Sequence, residues 1–259
     1  MSERPVVLVT GAARRLGREI ALELAAHGFD VAVHYRGSRD DAEATVAQAR
    51  TAGAQAAGFA ADLADEPSCR ALVPAVLAHF QRLDAVVNSA STFEYDNTER
   101  FSYAAMDRHW RANTGPAVLL AQALHDHLKT SGRSGCVVNL LDQKLFNLNP
   151  DYFSYTLSKA ALQAATVMLA QALAPTLRVC GIAPGVTLLS GAMTGSEFAQ
   201  AHQLTPLGHS STPADIARSV RFLIESPAMT GTTLLVDGGQ HLLAQPRDVM
   251  FIANPSKET

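Results

Sequence analysis

Cysteine is scarce in this chain. Its 259 residues hold three, Cys69, Cys136 and Cys180, with no Cys-x-x-Cys pair. An odd, dispersed count excludes a disulfide framework and a thiolate zinc site, and it suits a reducing compartment. Positive charge is not in excess either. Lys plus Arg number 21 against 24 for Asp plus Glu, a net charge of −3, so neither nucleic acid nor an anionic membrane is an expected partner. No 18-residue uncharged apolar run occurs, so no transmembrane helix is expected. Only a short apolar run separates Met1–Pro5 from a glycine turn, too little for a secretory signal, and a cytoplasmic protein is expected.

The chain is instead rich in apolar residues, 47% of the total, enough for a sizeable core. Its length fits one large α/β domain over 1–259 better than two ordinary ones. Short β-branched runs at Val6–Val9, Val31–Val33, Ala85–Val87, Cys136–Val138, Leu177–Ile182 and Thr233–Val236 alternate with helical stretches. Those stretches are Leu16–His27, Asp41–Ala52, Glu66–Gln81, Tyr152–Leu173 and Pro213–Ile224. Strands that are apolar throughout belong in a parallel sheet covered on both faces. The expected fold is a doubly wound Rossmann domain with a mainly parallel sheet of about seven strands. A nucleotide half spans about 1–150, a catalytic helix and substrate loop about 151–240, and a tail 241–259. The stretch 186–212 lacks strong periodicity and is long for a mere connection, as lids often are.

The first strand runs into Thr10-Gly11-Ala12-Ala13-Arg14-Arg15-Leu16-Gly17 and then a helix. Such a turn lets backbone approach a pyrophosphate at a helix N-terminus, although an ordinary tight connection reads the same way. The second strand ends His34-Tyr35-Arg36-Gly37-Ser38-Arg39, with no acid before Asp40. A carboxylate there holds a ribose 2′-hydroxyl, whereas arginine accommodates a 2′-phosphate. Arg36, Ser38 and Arg14 therefore point to NADPH/NADP, with a solvated basic loop as the alternative.

Tyr155 and Lys159 lie one turn apart on an expected helix. An ammonium beside a phenol lowers the tyrosine pKa from about 10, as a proton donor near neutrality requires. Alone, Tyr-x-x-x-Lys is a common structural pattern. His125-Asp126-His127 does not face one site on a helix, so no metal is expected. His109 and Trp110 read as packing residues, and Asp151 and Tyr152 as either pocket or helix-cap residues.

In company, these segments resemble the short-chain dehydrogenase/reductase family over nearly the whole chain. The glycine turn, Asp62-Leu63, Asn88-Ser89-Ala90-Ser91, Asn113, Tyr155/Lys159 and Pro184-Gly185 match its motifs in order. The resemblance implies cofactor contacts from Gly11, Arg14, Arg15, Leu16, His34, Tyr35, Arg36 and Ser38. It implies more from Asp62, Leu63, Asn88, Ala90, Tyr155, Lys159, Pro184 and Gly185. Asn113 would support a proton relay through Lys159. A homotetramer is expected on the same grounds, and small residues such as Ala160 and Ala164 permit close helix packing.

Two departures matter. Arg15 replaces the middle glycine of the turn, and Asp142 occupies the place of the family's serine, thirteen residues before Tyr155. A carboxylate accepts hydrogen bonds but cannot polarise a carbonyl as a hydroxyl does. Both departures resemble the pteridine reductase branch, as do His34-Tyr35 and Ser89-Ala90-Ser91-Thr92-Phe93, in which Ser89 replaces Asn. That resemblance implies substrate contacts from Arg15, Ser91, Phe93, Asp142 and Tyr155, with Phe93 stacking on a flat pterin. Separately, Phe93 reads as a core or lid aromatic, Asp142 as a cap and Arg15 as surface charge. The implied activity is NADPH-dependent reduction of a dihydropterin or dihydrofolate, with Asp142, Tyr155, Lys159 and Asn113 as the catalytic set. The alternatives are a generic NADP-dependent carbonyl reductase and a non-catalytic NADP-sensing protein.

Overall fold

The computed structural model describes residues 4–189 and 193–253. Its first half alternates β1 (Val6–Val9), α1 (Arg15–Ala26), β2 (Asp30–Tyr35), α2 (Arg39–Thr51), β3 (Ala56–Ala60), α3 (Glu66–Phe80) and β4 (Ala85–Asn88). The chain continues through α4 (Tyr103–His109), a π-turn at Trp110–Thr114, α5 (Gly115–Ser131), β5 (Gly135–Leu140) and a 3-10 turn at Gln143–Phe146. Then come α6 (Phe153–Ala172), β6 (Leu177–Pro184), α7 (Gly195–Gln203), α8 (Pro213–Glu225), β7 (Thr233–Val236) and α9 (Val249–Ala253). The five helices with expected limits fall within two residues of them.

The strands form one seven-stranded parallel sheet in the order β3-β2-β1-β4-β5-β6-β7. Side chains alternate across it. Val7, Val9, Val31 and Val33 pack under α1, α2 and α8, where Ile20, Leu24, Ile216 and Val220 are buried. Val6, Leu8, Val86 and Val137 face α3 and α5, meeting Leu72, Val76, Leu120 and Leu124. The order in which strands are added reverses between the adjacent β1 and β4, which opens a crevice at their carboxyl ends.

Two segments have more structure than their periodicity suggests. The stretch 186–212 contains α7, opened by a capping box in which Glu197 N–H donates to Thr194 Oγ1 at 3.3 Å and Thr194 N–H to Glu197 Oε2 at 2.7 Å. That Thr-x-x-Glu signal was legible, but the short amphipathic turn after it was not. The tail forms a 3-10 turn at Gln240–Leu242 and then α9, whose Val249, Met250 and Phe251 are buried. Its end, Asn254–Thr259, lies outside the described residues, as do Ser190–Ala192 of the substrate loop.

Candidate active site

The crevice holds a cavity of about 710 Å³ that runs from the β1 turn to the tail. At its nucleotide end, Thr10 Oγ1 accepts from Ser89 N–H at 2.9 Å and Ala90 N–H at 3.0 Å, tying the β1 turn to the end of β4. Gly11 has φ +65°, and a Cβ there would stand 3.0 Å from Ala90 Cα. Gly11 N–H donates to His34 Nδ1 at 3.0 Å, and His34 Nε2 meets the Ala61 carbonyl at 3.1 Å. One neutral imidazole thus joins the ends of β1, β2 and β3, and burial lowers its pKa. The N-terminus of α1 has no side-chain cap and no acid in its first turn, so its N–H groups remain available to an anion.

Leu16, Tyr35, Arg36, Ser38, Asp62 and Leu63 all line this end of the cavity. Arg14 lines it too but is bonded through its guanidinium to Asp41 of α2. Asp41 is one of the first acids after β2, and its ion pair with Arg14 partly neutralises it there. Asn88 is absent from the wall. Its Nδ2 donates to Asn139 Oδ1 at 2.8 Å, a bond that ties β4 to β5, so its side chain acts as a strut.

Arg15 keeps the left-handed backbone of the glycine it replaces, with φ +53°. Its Nη2 donates to the Leu189 carbonyl at 2.7 Å, reaching across to the substrate loop. On that side Gly185 packs so closely that a Cβ would lie 2.4 Å from Ser210 Oγ. Gln240 Oε1 accepts from Val186 N–H at 3.2 Å, beside Pro184 and Gly185.

Asp142, Tyr155 and Lys159 meet at the centre. The Tyr155 hydroxyl donates to Asp142 Oδ2 at 2.9 Å, and Asp142 Oδ1 accepts from Lys144 N–H at 2.9 Å. Asp142 thus caps the 3-10 turn and accepts from the tyrosine at once. Burial raises its pKa against those hydrogen bonds. Lys159 Nζ donates to the Leu140 carbonyl at 2.6 Å and lies 5.8 Å from the Tyr155 ring centroid. Burial lowers Lys159 to about 8.

The expected lowering of the Tyr155 pKa by Lys159 is corrected. Burial and then the Asp142 charge push the phenol well above its usual value, because its hydroxyl points at the carboxylate while the ammonium sits beside the ring. The Asn113 amide is bonded on both of its polar atoms. Its Oδ1 accepts from Thr92 N–H at 2.7 Å and Ser91 Oγ at 3.1 Å, and its Nδ2 donates to Thr92 O at 3.0 Å and Ser158 Oγ at 2.9 Å. With its amide so engaged, Asn113 positions Ser91, Thr92 and Ser158.

Phe93 is 38% exposed and lines the cavity with Ser91. Its ring stacks on Tyr152 at 4.1 Å and meets the Tyr155 ring edge-on at 4.7 Å. Tyr152, at the start of α6 with φ +52°, does not cap its N–H groups with its side chain. Asp96 does so from a distant loop, accepting from Ser154 N–H at 2.9 Å and bonding its hydroxyl, while Phe153 N–H donates to the Asp96 carbonyl at 3.2 Å. Lys144, Gln240 and Asp248, which line the cavity, and Asp96, which caps the helix carrying Tyr155, are residues that motif spacing did not reveal. No short-range signal marks them, because each reaches the site across long sequence separations or from a turn.

A family model described as enoyl-(acyl carrier protein) reductase matches residues 11–241. The FolM alternative dihydrofolate reductase 1 from Brucella suis, solved in complex with NADP, superposes with a TM-score of 0.90 at 39% identity over 95% of this chain and 98% of that one. Its Brucella canis counterpart, also complexed with NADP, gives 0.88 at 39% identity over 95% and 97%. The 3-oxoacyl-(acyl-carrier-protein) reductase FabG of Staphylococcus aureus is 32% identical over 241 residues, 91% of this chain and 97% of the relative. Together with the Tyr155/Lys159 pair at the crevice of a seven-stranded sheet, these matches establish that the chain belongs to the short-chain dehydrogenase/reductase family of oxidoreductases.

Proposed function

We propose that this enzyme is an NADPH-dependent reductase of dihydropterins, with dihydrobiopterin, dihydromonapterin and dihydrofolate as candidate substrates. The observation that carries the reading is the Asp142 carboxylate bonded to the Tyr155 hydroxyl beside the half-exposed face of Phe93. A flat heterocycle with ring nitrogens suits an aromatic face and an acceptor carboxylate. The 39% identity to two reductases described as dihydrofolate reductases supports the same class.

The residues present fit NADPH. Gly11 and Gly185 leave room that a Cβ would fill, and the uncapped start of α1 suits a pyrophosphate. Arg36 and Ser38 suit a 2′-phosphate. Reduction of a C=N bond needs a hydride at carbon and a proton at nitrogen, and NADPH supplies the hydride when bound. The Asp142–Tyr155 pair holds the proton, Phe93 orients the ring, and Lys159 fixes the Leu140 carbonyl at the cavity wall. We further place the enzyme in the cytoplasm as a homotetramer, with the exposed Leu157, Val167 and Met168 of α6 available for contact between copies.

The test is NADPH oxidation against the three dihydropterins, with NADH as cofactor control and a 3-oxoacyl thioester as substrate control. Turnover of one dihydropterin with NADPH preference supports the reading. Turnover of the thioester alone replaces it with a carbonyl reductase.

A further inference from the structure

The tail supplies part of the substrate wall. Arg247 grips the buried Asp151, with Nε donating to Oδ2 at 2.8 Å and to Oδ1 at 3.1 Å and Nη2 to Oδ1 at 3.0 Å. Asp248 N–H donates to the same Oδ2 at 2.7 Å. Met250 and Phe251 then bury themselves beside Tyr152 and Tyr95, with the Tyr152 hydroxyl 3.5 Å from Met250 Sδ. This anchoring leaves Asp248 lining the cavity together with Asp142 and Gln143.

The polar groups there are mostly acceptors. Asp142 already accepts from Tyr155 and Lys144 N–H, Asp248 Oδ1 accepts from Met250 N–H at 3.1 Å, and Gln143 Oε1 is buried without a hydrogen-bond partner. The nearby cations are engaged: Lys144, 3% exposed, serves the Asp151 carbonyl and Asp248 Oδ2, the latter at 3.4 Å, and Lys159 serves the Leu140 carbonyl. A buried unpaired acceptor is costly, so such a wall favours a ligand edge that donates. A ketone or an acyl thioester carbonyl offers only acceptors. An amidine-like edge, with an amino group beside a ring N–H, offers two or three donors.

We propose that Asp248 is a substrate-orienting residue which, with Gln143, accepts hydrogen bonds from the 2-amino-4-oxopyrimidine edge of the substrate, while Asp142 stays with Tyr155 at the ring that is reduced. This rests on the pterin reading and names the part of the ring that the tail recognises. Burial is the first cause of the raised pKa of both Asp142 and Tyr155, and the Asp248 charge adds to each, as expected of a group that faces them.

The experiment compares full-length wild type with Asp248→Asn, which keeps the shape and removes the charge, and Asp248→Glu, which keeps the charge. Each is saturated with NADP and titrated calorimetrically with dihydrobiopterin and with its 2-desamino analogue. KM and kcat are measured beside NADPH affinity. Asp248→Asn is expected to weaken dihydrobiopterin binding and raise its KM about tenfold, the loss of one charge-assisted hydrogen bond. Binding of the 2-desamino analogue and of NADPH stays unchanged, and Asp248→Glu recovers part of the loss. Unchanged dihydrobiopterin binding in Asp248→Asn, or equal losses for both pterins, overturns the proposal, the second result marking the tail as scaffold only. Amino-dependent binding without turnover in wild type leaves this inference standing and removes the proposed activity. Failure of wild type to bind either pterin removes both.

Discussion

Tyr155 donates its hydroxyl proton to Asp142 Oδ2 at 2.9 Å, so the phenol is bonded to a carboxylate and not to the Lys159 ammonium. The two groups therefore act as one proton-holding unit. Tyr155→Phe and Asp142→Ala are each expected to lower kcat for the dihydropterin by about 10²–10⁴-fold, the range for a lost general acid. Because they act together, the double variant should be little worse than the poorer single one. Multiplying losses in steady-state assays would mean two independent roles. Asp142→Ser restores the family's hydroxyl and should gain carbonyl reduction as pterin reduction falls.

The pH profile follows from Lys159. Burial lowers its pKa to about 8, so the ammonium is present below that pH and is lost above it. The kcat/KM profile, which reports free-enzyme groups, should fall as pH rises through about 8. A profile flat to pH 9 would remove the ammonium from the mechanism.

At the nucleotide end, Arg36 is exposed at the cavity rim beside Ser38, while the nearby Asp41 is occupied by Arg14. Replacing Arg36 with leucine should weaken NADPH binding about tenfold, the contribution of a charge-assisted hydrogen bond, and leave NADH binding unchanged. Fluorescence titration of both dinucleotides checks this, and raised salt should narrow the difference. Equal weakening of both would place Arg36 away from the 2′-phosphate.

Local chemistry made much of this molecule legible. The runs Val6–Val9 and Cys136–Val138 are strands because they are apolar on both sides, and both faces are indeed covered. Gly11 and Gly185 sit where backbone approaches backbone, and that demand is written in the residue type. Interactions between distant segments were not legible. Nothing near Tyr152 announces that Asp96 caps α6 from 58 residues before Ser154, or that Arg247 reaches Asp151 across 96 residues. The phenol pKa misled for a related reason. A four-residue spacing places Lys159 near the Tyr155 ring, but the direction of the hydroxyl is set by Asp142 on another segment.

The Asp96 cap yields a separable prediction. Asp96→Ala removes the acceptor for Ser154 N–H and is expected to cost about 0.5–2 kcal/mol of stability. Asp96→Asn, also a good capping residue, should recover most of it. Since Asp96 holds the helix that carries Tyr155, kcat should fall in the alanine variant while NADPH affinity is retained. Urea unfolding and dinucleotide titration together check this, and an unchanged unfolding midpoint would show that water replaces the cap.

His34 predicts how the fold responds to acid. Its Nδ1 must stay unprotonated to accept from Gly11 N–H, while its Nε2–H is satisfied by the Ala61 carbonyl. Burial, chiefly, lowers its pKa in the folded state below the ordinary 6.5, against smaller upward pulls from Ala61 and Asp62. The unfolded chain therefore takes up the proton first as pH falls. The His34 contribution is complete above pH 6.5 and is lost progressively as pH drops towards the lower folded pKa, at no more than about 1.4 kcal/mol per pH unit for one proton. His34→Gln retains an acceptor and a donor without a titrating ring, so its stability should vary less between pH 6.5 and 5 than that of wild type. NADPH affinity should fall over the same range in wild type alone, because protonation breaks the bond that shapes the Gly11 turn. Parallel pH dependence in the two proteins, read by urea unfolding and NADPH titration, would assign the acid response to other groups.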